Sequence, residues 1–389
     1  MNEEQPWITW EESGTPQRAR WRSESQAMPA TLLPADDTLT ANAAFKLVSE
    51  GTGLLWQGDF HNGRQLLQAL GRRVDRPPRV GAAAPAPAGG RGDAQAAARD
   101  AFARHRAAQA RRAALLGRVL VKFEPDRTIA LRRAPDVRAA LAEAWGPPDG
   151  SASIVSLREL QGLVGAHEWR KKGVEVPALG GRIHPWFGVF SPLRGEYLPL
   201  VAQAPLPPGA QALAFDIGTG TGVIAALLAR RGVREVVATD LDPRAIACAT
   251  ENVARLGLAG QVRVVAADMF PEGSAALVVC NPPWVPTPAN AAIERAVYDP
   301  DSAMLRAFLG GLAAHLAPGG EGWLVMSDLA EHLGLRTRDE LLAWIAAAGL
   351  RVVARHDTRP THPKAGDPAD PLFAARSREV TSLWRLGAQ

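Results

Sequence analysis

The chain has 389 residues, of which 47% are hydrophobic, and a net charge of +4 at pH 7. This length is sufficient for two domains, whereas two cysteines, Cys248 and Cys280, are too few for a disulfide framework or a cysteine-rich metal site. The first residues lack the basic and then apolar order of a signal peptide, and no stretch has the pattern of a membrane span. We therefore predict a cytoplasmic protein with no metal and no membrane contact, while the oligomeric state stays open.

The first 150 residues predict a region separate from the rest. Residues 1–37 are polar, but Trp7, Trp10 and Trp21 are too many aromatic residues for a purely solvated tail, so we predict a partly ordered segment. Residues 38–150 predict a small mixed domain. Its predicted elements are two short helices within 40–73, a flexible loop at 81–93, a helix over 94–116 and a hairpin over 118–131.

Positive charge is concentrated in this region. From His61 to Ala140 there are seventeen Lys and Arg against six Asp and Glu, so the remaining residues are net acidic. Such a surface attracts phosphate groups or an acidic partner, and the alternative is an Arg-rich surface of the kind that a GC-rich genome encodes. Phe102 and Phe123 are the only aromatic residues in this stretch for stacking on RNA bases. We predict that residues 38–150 form a basic substrate-recognition domain.

From Ala210 onward, short apolar stretches alternate with longer amphipathic ones. This alternation predicts an α/β fold with a mostly parallel, doubly wound, Rossmann-like sheet and helices on both faces. The predicted strands are 212–215, 235–239, 262–266, 276–280, 322–327, 350–356 and 380–385, and the predicted helices are 221–230, 243–256, 303–316 and 337–347. No helix separates the last two of the seven strands, so we predict that the last is antiparallel. We assign residues 151–389 to this domain.

A glycine-rich loop follows the first of these strands. Asp216 ends the strand and leads into Gly218-Thr219-Gly220-Thr221-Gly222. Glycine at alternate positions permits a tight turn and brings the backbone close to a ligand. Val223 stands where the dinucleotide fingerprint needs its third glycine, which disfavours a pyrophosphate site. The loop predicts a nucleoside-type cofactor, with an unspecific nucleotide site as the alternative.

Acidic residues end the next two strands, at the edge where open α/β sheets bind ligands. Asp240 ends the second strand, where its carboxylate can accept hydrogen bonds from both hydroxyls of a ribose. Asp268 follows the third strand, in the equivalent place for an adenine amine, and Met269 beside it can form an apolar wall for the ring. We predict that these residues bind the same cofactor.

The segment Asn281-Pro282-Pro283-Trp284 follows the fourth strand. An amide or exocyclic amino nitrogen is a poor nucleophile, so its two hydrogens must be held while it attacks. The Asn281 side-chain oxygen and the Pro282 carbonyl can each accept one hydrogen. The prolines stiffen the turn, and Trp284 offers a flat face for stacking on an amide or a base. An ordinary Asn-Pro-Pro turn is the alternative.

These motifs resemble those of class I S-adenosylmethionine-dependent methyltransferases. They are most similar to the small methyltransferase group, which includes the release-factor glutamine methyltransferases and the rRNA guanine-amine methyltransferases. The resemblance covers about residues 182–357 and implies a methyltransferase sheet with S-adenosylmethionine as cofactor. By position it implies that Gly218 to Gly222 hold the methionine part, Asp240 the ribose, Asp268 and Met269 the adenine, and Asn281 both cofactor and substrate.

Two flanking segments carry weaker predictions. Trp186 and Phe187 either line the substrate entrance or cap the core, and the sequence leaves both open. Asp301 or Ser302 is predicted as the cap of the helix that follows the Asn-Pro-Pro-Trp segment.

The function that these patterns indicate is N-methyl transfer to an amide or exocyclic amino nitrogen of a macromolecule. We favour a nucleic acid, either rRNA or tRNA, because of the basic N-terminal region. The alternatives are a protein glutamine, as in the release-factor enzymes, and a non-catalytic module that binds S-adenosylmethionine or RNA.

Overall fold

The computed structural model describes residues 6–76, 91–191, 195–289, 294, 296–361 and 365–389. These residues divide into two compact units. Unit 1 consists of the described residues within Met1–Ala86 and of Arg104–Glu168, and unit 2 of those within Pro87–Ala103 and Trp169–Gln389. None of the helices in the described ranges is long and apolar enough to cross a lipid bilayer.

Unit 1 contains a six-stranded mixed sheet. The elements up to its end are β1 (Trp7–Glu12), β2 (Thr15–Trp21), β3 (Leu32–Ala35), α1 (Ala41–Ser49), β4 (Gly53–Trp56), α2 (Phe60–Val74), α3 (Arg91–Leu116), β5 (Val119–Phe123), α4 (Arg138–Trp145), β6 (Ser153–Ser156) and α5 (Leu157–Lys172). The strand order is β1-β2-β6-β5-β4-β3. The pairs β1–β2 and β5–β6 are antiparallel, and the other three are parallel.

The first strands belong fully to this sheet. Trp10 and Trp21 are buried in one hydrophobic core with Ile8, Leu120 and Ile154. Alternate residues of β1 are buried, as expected for a strand with one face on a core. Two of the three aromatic residues that predicted partial order are therefore core residues of a folded sheet, whereas Trp7 is 38% exposed.

The predicted hairpin over 118–131 is wrong. Strand β5 pairs with β6 and β4, and Leu131 lies outside any strand. A tight turn does follow β5, because Arg127 N–H donates to the Glu124 carbonyl over 2.8 Å. The residues after this turn do not pair with β5, because β6 is its antiparallel neighbour. Strand β4 was also not predicted, because its four buried residues are too short a run to show periodicity.

The unit boundaries differ from those expected from the sequence. Residues 91–103 fall in unit 2, because Phe102 of α3 is buried there against Val285 and Leu329. Unit 1 ends at Glu168 instead of near residue 150, because β6 completes its sheet and α5 continues from it. Residues 81–90 of the predicted flexible loop lie outside the described residues, and 91–93 begin α3.

Unit 2 contains the predicted seven-stranded sheet. Its elements are β7 (Val174–Val176), β8 (Gly181–Ile183), α6 (Leu198–Gln203), β9 (Leu213–Ile217), α7 (Val223–Arg230), β10 (Glu235–Asp240), α8 (Pro243–Arg255), β11 (Val262–Ala266), β12 (Ala275–Cys280), α9 (Ala303–His315), β13 (Leu316–Ser327), α10 (Leu329–His332), α11 (Arg338–Ala347), β14 (Leu350–Thr358), α12 (Phe373–Arg376) and β15 (Thr381–Ala388). The order is β11-β10-β9-β12-β13-β15-β14. Strand β15 is antiparallel to both neighbours and the other pairs are parallel, as predicted.

Successive residues of the central strands are buried on opposite faces of this sheet. Ala214 and Val279 belong to a hydrophobic core that includes α7, whereas Phe215 and Val278 belong to a second core that includes α9 and α11. A strand covered on both faces is apolar throughout, which explains why these strands were predictable. The carboxyl ends of β9, β10 and β12 consequently lie side by side at one edge.

Candidate active site

The glycine loop joins β9 to α7 in a left-handed conformation. The φ angles of Gly218, Gly220 and Gly222 are 69°, 56° and 79°, values that favour glycine. A Cβ atom at Gly218 would lie 2.5 Å from Met304 Cε, and one at Gly222 would lie 3.2 Å from Ala249. A Cβ at Gly220 would meet no atom within 4 Å. Gly220 therefore exposes its backbone to open space. Gly218 and Gly222 instead leave no room for a side chain, because Met304 and Ala249 pack closely against them.

Asp216 holds the two ends of this loop together. Its Oδ2 atom accepts hydrogen bonds from Thr219 Oγ1 at 2.6 Å and from the N–H of Ala225 in α7 at 3.0 Å. The carboxyl is 1% exposed, and burial raises its pKa to about 7. Thr221 is also buried, and its carbonyl accepts from Asn252 Nδ2 at 3.0 Å.

Asp240 ends β10 directly beside the loop. Its Oδ2 atom accepts from the Gly220 N–H and its Oδ1 atom from the Asp242 N–H, both at 3.0 Å. Burial raises the pKa of this half-buried carboxyl. Each carboxylate oxygen can accept more than one hydrogen bond, so both remain able to bind two neighbouring hydroxyls.

Asp268 and Met269 follow β11 at the same edge. Asp268 is exposed, and Met269 adopts a φ of 70° with its side chain against the core on the α9 face of the sheet. The Met269 carbonyl accepts from Thr239 Oγ1 at 2.6 Å, which fixes this turn to β10. The turn thus holds an acidic and an apolar side chain next to Asp240.

Asn281 follows β12, and a neighbouring side chain holds its amide oxygen. Its Oδ1 atom accepts from Trp284 Nε1 at 3.0 Å. Tyr197, which precedes α6 and is 2% exposed, lies beside the Asn281 amide. Burial and the nearby Asp216 charge raise the pKa of Tyr197, and the Asn281 side chain opposes them. Tyr197 was not predicted, because nothing in the local sequence links it to a residue 84 positions later.

The remaining residues of the segment hold the turn in place. Pro282 is buried and Pro283 is half-buried. Trp284 packs on hydrophobic cores of unit 2, so it orients Asn281 as well as offering a flat face. Beyond it, the Val285 N–H donates to the Val297 carbonyl and the Asp299 N–H donates to the Val285 carbonyl.

Ser302, one of the two predicted caps, is the N-cap residue of α9, but its side chain makes no capping hydrogen bond, and the Asp299 carboxylate binds the free N–H groups instead. Asp299 Oδ1 accepts from the Met304 N–H at 3.0 Å, and its Oδ2 from the Leu305 N–H at 3.2 Å. Asp301 and Ser302 have φ angles of 55° and 54° and form a left-handed turn before the helix. This turn reverses the chain, so an earlier residue reaches the free N–H groups. Burial raises the pKa of Asp299.

Arg336 lies behind this turn and was not predicted. It is 3% exposed, its Nη1 atom donates to Ser302 Oγ at 3.5 Å, and its Nη2 atom contacts Met326 Sδ at 3.3 Å. Burial lowers its pKa, while the Asp299 carboxylate is among the charges that oppose the shift. Asp299 and Arg336 together fix the turn that places Met304 against Gly218.

Trp186 packs on the core, as one of its two predicted roles requires. Its Nε1 atom donates to Glu251 Oε2 at 2.7 Å, its ring packs beside Val189, and the Arg170 guanidinium lies 4.4 Å from the ring centre. Phe187 is half-buried, with Arg244 6.0 Å from its ring centre. Within the described residues, no three His, Cys, Asp or Glu side chains form a group that could hold a metal ion.

Several known proteins are similar to this chain, and the family model that matches it lies within unit 2. The family model of the methyltransferase small domain matches residues 199–338. A release factor glutamine methyltransferase from Deinococcus radiodurans is 32% identical over 231 residues, which are 56% of this chain and 76% of that protein. Another from Cereibacter sphaeroides is 35% identical over 158 residues, 37% of this chain and 54% of that protein.

A third relative is a ribosomal protein L11 methyltransferase from Pelotomaculum thermopropionicum. It is 35% identical over 147 residues, which are 34% of this chain and 42% of that protein. The chain spans about half the length of this relative and of the one from Cereibacter sphaeroides.

Proposed function

Because this chain belongs to the small-domain family of S-adenosylmethionine-dependent methyltransferases, we propose that it methylates a side-chain amide nitrogen of a protein. The observation that carries the proposal is Asn281, whose amide oxygen is held by Trp284 and which lies at the same sheet edge as the glycine loop. The relatives are named for a release factor glutamine and for ribosomal protein L11. These names favour a protein over the nucleic acid that the positive charge favoured.

The residues at this edge fit S-adenosylmethionine. Gly220 offers open space above its backbone, where the methionine part would lie between Gly218 and Gly222. Asp240 would accept hydrogen bonds from the ribose hydroxyls, with Asp268 and Met269 beside the adenine. When bound, the cofactor supplies an electrophilic methyl group on a sulfonium. Asp216, Thr219 and Thr221 would act through the shape of the loop that they hold.

The clamp residues, Asn281 to Trp284, make the substrate nitrogen reactive. Asn281 Oδ1 already accepts one hydrogen bond from Trp284 and has a second acceptor position for one hydrogen of the substrate amide. The Pro282 carbonyl accepts the other hydrogen, and both bonds strengthen as positive charge develops on nitrogen. The nitrogen lone pair would form the new bond to the methyl carbon while the carbon–sulfur bond breaks, so that sulfur would leave as a neutral thioether, and one proton would then pass to water. No strong base is required on the protein.

A second candidate is an exocyclic amino group of an RNA base. The same two acceptors fit a planar –NH2 group of either kind. The observation that favours this candidate is the excess of Lys and Arg between His61 and Ala140.

The test supplies the purified protein with S-adenosylmethionine labelled in the methyl group, together with a bacterial lysate. We expect label in macromolecules that protease releases and nuclease does not. Acid hydrolysis should then free labelled methylamine, because an N-methylated glutamine yields glutamate and methylamine. Asn281→Ala serves as the inactive control. Label released by nuclease would overturn the protein substrate, and label retained on an amino acid after hydrolysis would overturn the amide.

A further inference from the structure

Unit 1 contains a cleft that none of the methyl-transfer residues lines. It has a volume of about 410 Å³ and lies where residues of α2, α3 and α5 meet. Its polar lining residues are Gln68, Arg72, Asp75, Arg112, Arg158 and Gln161. The size falls in the range of about 300 to 1,000 Å³ that is typical of ligand sites.

Two of the three helices around this cleft have a strong charge bias. Helix α2 and the part of α3 from Arg104 to Leu116 contain seven arginines and no aspartate or glutamate. One-sided charge of this kind concentrates anionic ligands near a concave surface. In the described part of the chain, Arg72 at the rim has no hydrogen-bond or ion-pair partner and is exposed.

The cleft already contains one bound carboxylate. Arg112 Nε donates to Asp75 Oδ1 at 2.7 Å and its Nη2 atom donates to Oδ2 at 3.2 Å. This two-point contact lowers the pKa of Asp75. Arginine recognises a planar carboxylate in this forked geometry. The internal pair shows the ligand chemistry that suits the arginines of this cleft, which also include Arg72 and Arg158.

We propose that this cleft binds an acidic segment of the protein substrate, through carboxylates that pair with Arg72 and Arg158. The proposal rests on the proposed function for the identity of the substrate. None of the residues that line the cleft is aromatic, whereas single-stranded RNA is held mainly by stacking on aromatic rings. Gln68 and Gln161 add amide donors and acceptors that match a peptide backbone.

The first experiment measures binding by fluorescence anisotropy with the full chain. The probe is a fluorescein-labelled ten-residue peptide of alternating Glu and Ser. We expect the double variant Arg72→Glu/Arg158→Glu to weaken binding by at least about tenfold, because each change replaces a partner by a like charge. The matched control is Arg64→Glu/Arg111→Glu, which makes the same charge change at exposed positions of α2 and α3 outside the cleft. It should weaken binding by less than about threefold.

Two results would overturn the proposal. Equal losses for the two double variants would show that net charge alone attracts the peptide. Tighter binding of an oligouridine probe, lost in the cleft variant but not in the control, would identify a phosphate site instead. Circular dichroism of each variant checks that unit 1 remains folded.

A kinetic experiment separates this proposal from the proposed function. With the protein substrate found by methyl labelling, the cleft variant should raise KM by about tenfold and leave kcat and S-adenosylmethionine affinity unchanged. A fall in kcat with unchanged KM would contradict a docking role. If no protein is methylated at all, the proposed function fails, and the peptide measurement still decides whether the cleft binds carboxylates.

Discussion

Asn281 illustrates how one side chain is prepared for catalysis by residues far apart in the chain. The Trp284 indole donates to its oxygen, and the buried Tyr197 lies beside its amide. The bond from the indole N–H favours the orientation in which the amide oxygen faces Trp284 before the substrate arrives. Such preorganisation lowers the cost of orienting the acceptor during the reaction.

Replacing Trp284 by Phe tests this orientation. The change keeps an aromatic ring on the core and removes the N–H that Asn281 accepts. A net hydrogen bond of about 1 kcal/mol corresponds to a fall in kcat of about fivefold. Initial rates with a protein substrate measure the effect, and cofactor affinity should stay unchanged. A kcat equal to that of the parent would contradict the orienting role.

Asp216 predicts a specific dependence of stability on pH. Its folded pKa of about 7 lies above its ordinary value of 3.8, so the folded state favours the protonated form. The stabilisation is complete below about pH 4 and is lost as the pH rises to about 7. Asp216→Asn keeps an oxygen acceptor for Thr219 and Ala225 and cannot titrate.

We therefore expect the parent to lose about 2 to 3 kcal/mol of unfolding free energy relative to Asp216→Asn between pH 5 and pH 8. Urea unfolding at the two pH values, in the absence of cofactor, measures this difference. A difference that is the same at both pH values would mean that Asp216 does not titrate in this range.

Some of these residues were predictable and others were not. The glycine loop, Asp240 and Asn281 were predicted because each follows an apolar strand at a position that the local pattern defines. Tyr197, Asp299 and Arg336 act through partners that only the folded chain brings close, so no local pattern marks them. The pairing of Trp284 with Asn281 spans three residues, yet it depends on a side-chain rotation that the sequence does not specify.

At the scale of elements, the beginning of α9 links the clamp to the glycine loop. Asp299 caps the helix, Arg336 supports the left-handed turn, and the helix places Met304 against Gly218. Because Gly218 has no side chain, the Met304 methyl group occupies the space that a Cβ would need. The position of the first helical turn therefore controls the wall of the cofactor loop.

Substitutions at Asp299 separate its capping role from its charge. Asp299→Ala removes two acceptors and should cost about 2 kcal/mol of unfolding free energy, whereas Asp299→Asn retains one acceptor and should cost about half as much. Chemical unfolding of both variants measures the costs. If Asn proves as costly as Ala, the negative charge near Arg336 matters more than the cap.

The strands of the seven-stranded sheet were predicted closely, except that β13 begins six residues earlier than expected. The shorter elements β7, β8, α6, α10 and α12 were not predicted, and those of unit 1 were predicted only in part. In unit 2 each strand is an apolar run bounded by turn residues, and strand β11 was predicted with its observed limits. In unit 1 the strands pair over long distances, as β2 does with β6. A pattern within a few residues cannot show such partners, so the adjacent segment after β5 was wrongly paired with it.

At the scale of the whole molecule, each unit has a hydrophobic core of its own. Trp10 and Trp21 contribute to the core of unit 1, while the two faces of the seven-stranded sheet form those of unit 2. Domains with separate cores unfold as separate cooperative units in the usual case. The residues proposed to bind the cofactor all belong to unit 2.

Differential scanning calorimetry should therefore show two transitions. S-adenosylmethionine at about 100 times its Kd should stabilise one of them by about 2.7 kcal/mol and leave the other in place. Asp240→Ala should abolish the shift, because it removes the carboxylate proposed to bind the ribose. A single transition that moves as a whole on adding the cofactor would contradict separate unfolding.

The position of β15 has a consequence for how the nascent chain folds. This strand lies between β13 and β14 and is antiparallel to both, so β14 and β13 run in the same direction. On the ribosome, β14 emerges before β15, while the edge of β13 is still unpaired. If β14 paired directly with β13 in parallel, it would occupy the position that β15 takes in the folded sheet. Such an open edge is prone to mispairing and aggregation. Synthesis of this protein therefore includes an interval in which the sheet must stay unfinished until β15 arrives.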